Sequence, residues 1–186
     1  MDASAAGGIA ALDTWDAEGR LQAVIEAPRA SANKLKFDPE RGVFRLHHVL
    51  PLGVAFPFDF GFIPGTRGED GDPLDVLVLM DQPTLPGVVV PCRLIGVIEA
   101  RQHAPDDKHG RKGRRNDRLV AVADGSHRHA GDRALADLGA GVLAEIERFF
   151  VFYNEQRGVR FEPTGRAGKS AARRLVDAGR RQAARR

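Results

Sequence analysis

Cysteine is almost missing from the 186-residue chain: Cys92 stands alone, so no disulfide can form within it. It follows the apolar run "GVVVP", a context that predicts a buried, inert thiol. One tyrosine and one tryptophan leave the ten phenylalanines as nearly all of the aromatic content. Long apolar runs are missing too, since none reaches the roughly 20 residues that cross a bilayer. The first residues, "MDASAAGGIAALDTWD", carry no basic stretch ahead of an apolar core, so no secretory signal is read there. These absences predict a cytoplasmic protein with no membrane contact. There is no internal repeat.

What is present has the size of a single domain, taken as residues 1–186. Residues 1–15, small and rich in Gly and Ala, are expected to be mobile. Trp15 reads as a packing anchor. The net charge is only +3, but it is unevenly spread. Basic residues gather in "KHGRKGRRNDR" (108–118) and in the tail from 166 to 186, and acidic ones around 69–81. Such segregation suits a metal together with an anionic ligand, and the basic loop and tail could touch nucleic acid.

Strand signals dominate the first two thirds. "LQAVIEAP", "GVFRLHHVL", "PLDVLVLMD" and "RLVAVAD" read as strands, and "GVVVPCRLIGVIEA" as one long strand or two broken near Pro91. "NKLKFDPERG" reads as a connection, and "VAFPFDFGFIPGT" as irregular extended chain over packed rings. After Gly131 the period changes. Leu135, Leu138, Val142, Ile146, Phe149, Phe150 and Tyr153 recur at helical spacing, and Gly158 can close that helix. Residues 168–186 predict a final basic helix or tail. Many strands followed by two helices argue for a small antiparallel barrel or sandwich with helices at one side.

"RGEDGDPLDVLVLMD" crowds Asp70, Asp72 and Asp75 into six residues. Asp70 and Asp72, two apart, share a side of an extended chain. Gly71 lets the backbone turn, Pro73 stiffens the exit, and Asp75 opens a strand. Hard oxygen donors without a neighbouring His or Cys favour Mg²⁺, with Mn²⁺ as a second choice. The plain alternative is a solvated acidic turn. Two other motifs are set aside. "AGKSA" lacks the glycine of a phosphate-binding loop, because position 163 is proline. A calcium loop starting at Asp70 would put Asp75 where a glycine turn belongs. His127 and His129 read as a surface loop, and His47 and His48 as opposite faces of a strand.

"FGF", "DGDPLDVLV", "PTLPGVVV" and "CRLIGVIEA", in that order and spacing, resemble the soluble family I inorganic pyrophosphatases. "AVIEAP", "NKLKFD", "RLVAV" and "IERFFVFYNEQRG" extend the resemblance from about residue 20 to about residue 175. It implies a mainly β (α+β) fold, a five-stranded OB-like closed β-barrel flanked by C-terminal α-helices. It implies Mg²⁺-dependent hydrolysis of pyrophosphate by a homo-oligomer. It assigns Asp70, Asp72 and Asp75 to the metals, with Asp72 also orienting or deprotonating the attacking water. Lys34, Arg118 and Tyr153 match phosphate-binding positions, and Glu26 an acidic residue at the edge of the site.

Other matched positions differ. Phe56 and Phe60 replace tyrosines, His48 an arginine, and Asn154 a lysine. Lys36 reverses the charge of a glutamate, and Arg118 replaces a lysine. Two further metal-binding aspartates fall on Asn116 and near Gln102. Asp117, one residue off register, is expected as the substitute ligand, with Asp106 and Asp107 nearby. The intact primary cluster predicts a working enzyme. The altered surroundings leave an alternative: weak or absent pyrophosphate hydrolysis, with binding of a polyphosphate or nucleic acid or cleavage of another phosphoanhydride.

Overall fold

The computed structural model describes residues 8–103 and 113–185. Asp106, Asp107 and residues 108–112 of the basic loop therefore lie outside the described residues.

Strands β1 (Leu21–Ala27), β2 (Asn33–Asp38), β3 (Val43–Val49), β4 (Asp59–Phe62) and β5 (Asp75–Leu79) come first. They are followed by β6 (Val89–His103), β7 (Arg114–Arg115) and β8 (Arg118–Ala123). Five of these close on themselves in the order β1-β4-β5-β8-β6, with β6 pairing back to β1. This is the OB-like ring that the resemblance implies. One pairing departs from the antiparallel expectation, because β5 and β8 run parallel, Val76 beside Leu119. β6 runs unbroken through Pro91, so it is one strand and not two.

β5 and β8 are buried on both faces, and alternation splits their side chains between two cores. Leu77, Leu79, Val120 and Val122 enter one cluster with Leu143, Ile146 and Phe150 of helix α1 (Gly139–Glu155). Val76, Val78, Leu119 and Ala121 enter another with Ala172 and Val176 of helix α2 (Lys169–Ala183). A 3₁₀ turn, Leu135–Leu138, takes the first part of the helical pattern read after Gly131. Gly158 takes a positive φ of 67° just beyond α1.

Two elements differ from the sequence reading. β2, read as a connection, pairs with β3 as a separate hairpin. A further strand, β9 (Arg160–Gly168), lies between the helices and pairs antiparallel with β6. Its Pro163 and two glycines hide the strand signal, yet an edge strand tolerates them. At the end of the segment read as mobile, Thr14 is buried and donates to the Pro64 carbonyl at 2.8 Å. Trp15 bridges to Leu21.

Candidate active site

One cleft of about 400 Å³ collects the aspartates, three strand ends and the end of α1. Asp70, Asp72, Asp75, Glu26, Lys34, Arg118 and Tyr153 all line it. Barrel register explains much of the convergence. Parallel pairing of Val76 with Leu119 sets Asp75 and Arg118 side by side at the entry to their strands. Their ion pair is 2.8 Å long. Glu26 sits at an irregularity of β1, between the paired Ile25 and Ala27, where a bulge re-aims a side chain. It grips Lys34 Nζ and accepts the Phe37 backbone N–H at 3.0 Å. Both partners of that ion pair are buried.

The aspartate loop turns at Gly71, whose φ of +95° no L side chain adopts readily. Asp70 Oδ1 accepts the Asp72 N–H at 3.2 Å. Asp72 reaches across the cleft to Lys36 Nζ at 2.7 Å. Asp70 alone of the three has no ion pair among the described residues. Burial first, then the neighbouring Asp75 and Asp72 charges, push its carboxyl above the usual carboxylate range. Phe60 forms the floor, with Lys34 Nζ 4.5 Å from its ring centre. Arg118 is buried among Phe150 and Phe161, 4.8 and 4.9 Å from the ring centres. Its Nε has no hydrogen-bond partner among the described residues. Burial also raises the Tyr153 hydroxyl above its ordinary value.

Asp117 is not brought to the cleft, contrary to the expectation from its position. In the extended chain that leads into β8, Asn116 and Arg118 line the cleft and Asp117 does not. Its carboxylate is buried and already used by the Ala100 N–H at 3.0 Å and by Arg115 Nε. Asn116 occupies the inward position and donates to Gln102 Oε1 at 2.6 Å, while its own Oδ1 accepts from Arg118. A neutral amide pair thus stands where the resemblance places two carboxylates.

Asn154 and His48 also lie off the cleft. Asn154 is fully buried and donates to the Phe150 carbonyl. His48 packs edge-on against Tyr153, with ring centres 5.9 Å apart. The sequence reading missed two cleft residues, His47 and Arg157. Arg157 follows Tyr153 by four residues and lies just beyond the end of α1. Its guanidinium lies 5.6 Å from the tyrosine ring centre. His47 is left over where β2 and β3 slip register between Lys34 and Leu35. Burial and the nearby Arg157, Lys36 and Lys34 charges lower its pKa, which keeps it neutral near pH 7.

The donor set suits a hard divalent cation: three carboxylates within six residues, with Asp70 in no ion pair among the described residues. Among the described residues, no three ligating side chains stand close enough to hold an ion as placed. Asp72 and Asp75 are instead drawn to Lys36 and Arg118.

A family model for inorganic pyrophosphatase matches residues 23–184. The inorganic pyrophosphatase of Geobacillus stearothermophilus is 36% identical over 157 residues, covering 84% of this chain and 90% of that protein. That of Thermus thermophilus is 39% identical over 152 residues, covering 80% and 82%. The crystal structure of the Thermus thermophilus enzyme superposes with a TM-score of 0.83 at 34% identity, over 95% of this chain and 99% of that one. An inorganic pyrophosphatase from Neisseria gonorrhoeae gives 0.81 at 27% identity, over 95% and 98%.

Proposed function

The chain belongs to the inorganic pyrophosphatase family, and from that premise we propose that this cleft hydrolyses pyrophosphate to two phosphates with Mg²⁺. The carrying observation is the convergence of Asp70, Asp72 and Asp75 with Lys34, Arg118 and Tyr153 on one cleft. Asp70, Asp72 and Asp75 would hold the divalent cation, which when bound lowers the pKa of its water and offsets phosphoryl charge.

The remaining work falls to the chain's own groups. Asp72, whose side chain is 56% exposed against 25% for Asp75, orients the attacking water and takes its proton. Buried Arg118 presents fixed positive charge to the phosphoryl oxygens, and its unpartnered Nε is a donor in reserve. Glu26 holds Lys34 upright over the Phe60 ring, so that the ammonium meets the leaving phosphate without searching for its position. Tyr153 stays protonated and donates. Mn²⁺ would serve in place of Mg²⁺, since both are hard ions suited to oxygen donors.

The test is phosphate release from pyrophosphate with Mg²⁺ and then Mn²⁺, with Asp72→Asn as the blank. A general base is worth about 10²–10⁴-fold, so the variant should lose at least a hundredfold. Full activity in Asp72→Asn would remove that residue from the mechanism.

A second reading, weak turnover by a pyrophosphatase-like binder, is favoured by the Gln102–Asn116 amide pair and by Lys36 on Asp72. It predicts metal and phosphate binding with little hydrolysis above the blank. Association into a homo-oligomer in the cytoplasm completes the proposal. No helix among the described residues is long and apolar enough to cross a membrane. Nucleic acid has less support, because the only large exposed aromatic among the described residues is Phe152, and unstacked bases want such rings.

A further inference from the structure

Three of the four cations lining the cleft hold a carboxylate: Lys34 holds Glu26, Arg118 holds Asp75, and Lys36 holds Asp72. The first two cations are buried, with side chains 9% and 4% exposed, and are packed against phenylalanine rings. Lys36 is built differently. Its side chain is 44% exposed, and Asp72 Oδ2 is its one polar partner among the described residues. It stands two residues beyond Lys34, on the same face of β2, and leans over the same cleft.

We propose that Lys36 is a transferable counter-ion. It neutralises Asp72 while no metal is bound, then turns to a phosphate oxygen of the anion once a divalent cation takes that carboxylate. The inference rests on the reading above, in which Asp72 is a metal ligand and the cleft binds phosphate.

The competition has a clear winner. A doubly charged ion that demands short oxygen contacts outweighs a solvent-exposed ion pair, which is worth little. The ammonium then faces a cation across the oxygen it has lost, and like charge drives it away. Lysine can leave cheaply, because it holds Asp72 as a point charge on a flexible stem and not through a two-point fork. The nearest use for the freed charge is the phosphate that Lys34 and Arg118 already bracket. Metal binding therefore breaks one ion pair and releases one anion ligand. By linkage the two bindings strengthen each other, and by the same factor in each direction.

The experiment is titration calorimetry on the full chain with three probes: Mg²⁺ alone, inorganic phosphate alone, and phosphate at saturating Mg²⁺. It compares the parent with Lys36→Met, Lys36→Arg and Arg157→Met. Lys36→Met should bind Mg²⁺ alone about fivefold tighter, the upper worth of an exposed ion pair. The gain in phosphate affinity on adding Mg²⁺ should shrink by a similar factor. Lys36→Arg, whose fork grips a carboxylate more firmly, should shift Mg²⁺ binding the other way. Arg157→Met is the charge control, because it removes a cleft cation that pairs with no aspartate among the described residues; its Mg²⁺ affinity should change by less than about twofold. Unchanged Mg²⁺ binding in Lys36→Met, equal tightening in Arg157→Met, or an undiminished phosphate gain would each overturn the transfer while leaving the metal reading intact. Absence of Mg²⁺ binding in every protein would instead overturn the metal reading, and the inference with it.

Discussion

One nitrogen in place of one oxygen separates Asn116 from aspartate, and that atom faces the cleft. Its Nδ2 is spent on Gln102 and its Oδ1 already accepts from Arg118, so it offers a divalent cation no charge. Asn116→Asp should therefore bind Mg²⁺ about tenfold tighter, as carboxylate count tunes such sites, and should raise turnover at limiting Mg²⁺. Calorimetry and a metal titration of phosphate release would check both; no change in either would place the limit elsewhere. The neighbouring residue shows how far residue-scale reading of the sequence reaches. Asp117 carries the right chemistry and was expected as a ligand, but it stands one position off register, and on an extended chain a shift of one residue turns a side chain to the other face. Its actual occupation, by the Ala100 N–H and Arg115, required the fold. Cys92 needed less: an apolar neighbourhood predicted an inert thiol, and burial pushes it up to about 12. His47 was not legible, because its place in the cleft follows from a register slip between two strands, which no local pattern announces.

At the scale of elements, helix α2 does more than its basic sequence suggests. Read alone, it is a solvated tail. In the fold its Gly179 carbonyl accepts the Arg67 N–H at 3.0 Å, and Gln182 Nε2 donates to the Gly68 carbonyl at 3.0 Å. These contacts clamp the start of the aspartate loop. They also explain a glycine inside a helix, since a Cβ at 179 would stand 2.8 Å from Leu74 Cδ1 and 3.3 Å from the Arg67 carbonyl. Gly179→Val should cost about 2 kcal/mol of stability through overpacking and weaken Mg²⁺ binding several-fold by shifting the loop. Denaturant unfolding and calorimetry would measure the two effects; lost stability with undisturbed Mg²⁺ binding would make α2 a scaffold only. Strands with dense apolar runs, β5 and β8 above all, were plain in the sequence because both faces are buried. β2 was missed although Lys34, Leu35, Lys36 and Phe37 alternate with period two, since turn signals after it dominated the reading. β9 was missed because it lies at an edge, where proline and glycine are tolerated.

The whole molecule carries one feature that the barrel does not use. The β2–β3 hairpin stands apart from the ring and turns Val43, Leu46 and Val49 outward, with Leu52 beyond them fully exposed. Leu46 is 61% exposed and Val49 55%. Scattered apolar residues on a surface need no account, but a group on one hairpin marks a surface to be covered. The hairpin also carries Lys34, Lys36 and His47, so whatever covers it steadies the cation side of the cleft. A second copy of the chain is the economical partner, because it brings the same patch and needs no other molecule. Leu46→Glu with Leu52→Glu should then lower the mass measured by analytical ultracentrifugation. Because the hairpin carries the cations Lys34 and Lys36 while Asp70 and Asp75 lie outside it, phosphate affinity should fall more than Mg²⁺ affinity does. A parent protein that sediments as a monomer would remove the self-association reading, and the hairpin would have to be rigid on its own contacts with Glu26 and Phe62.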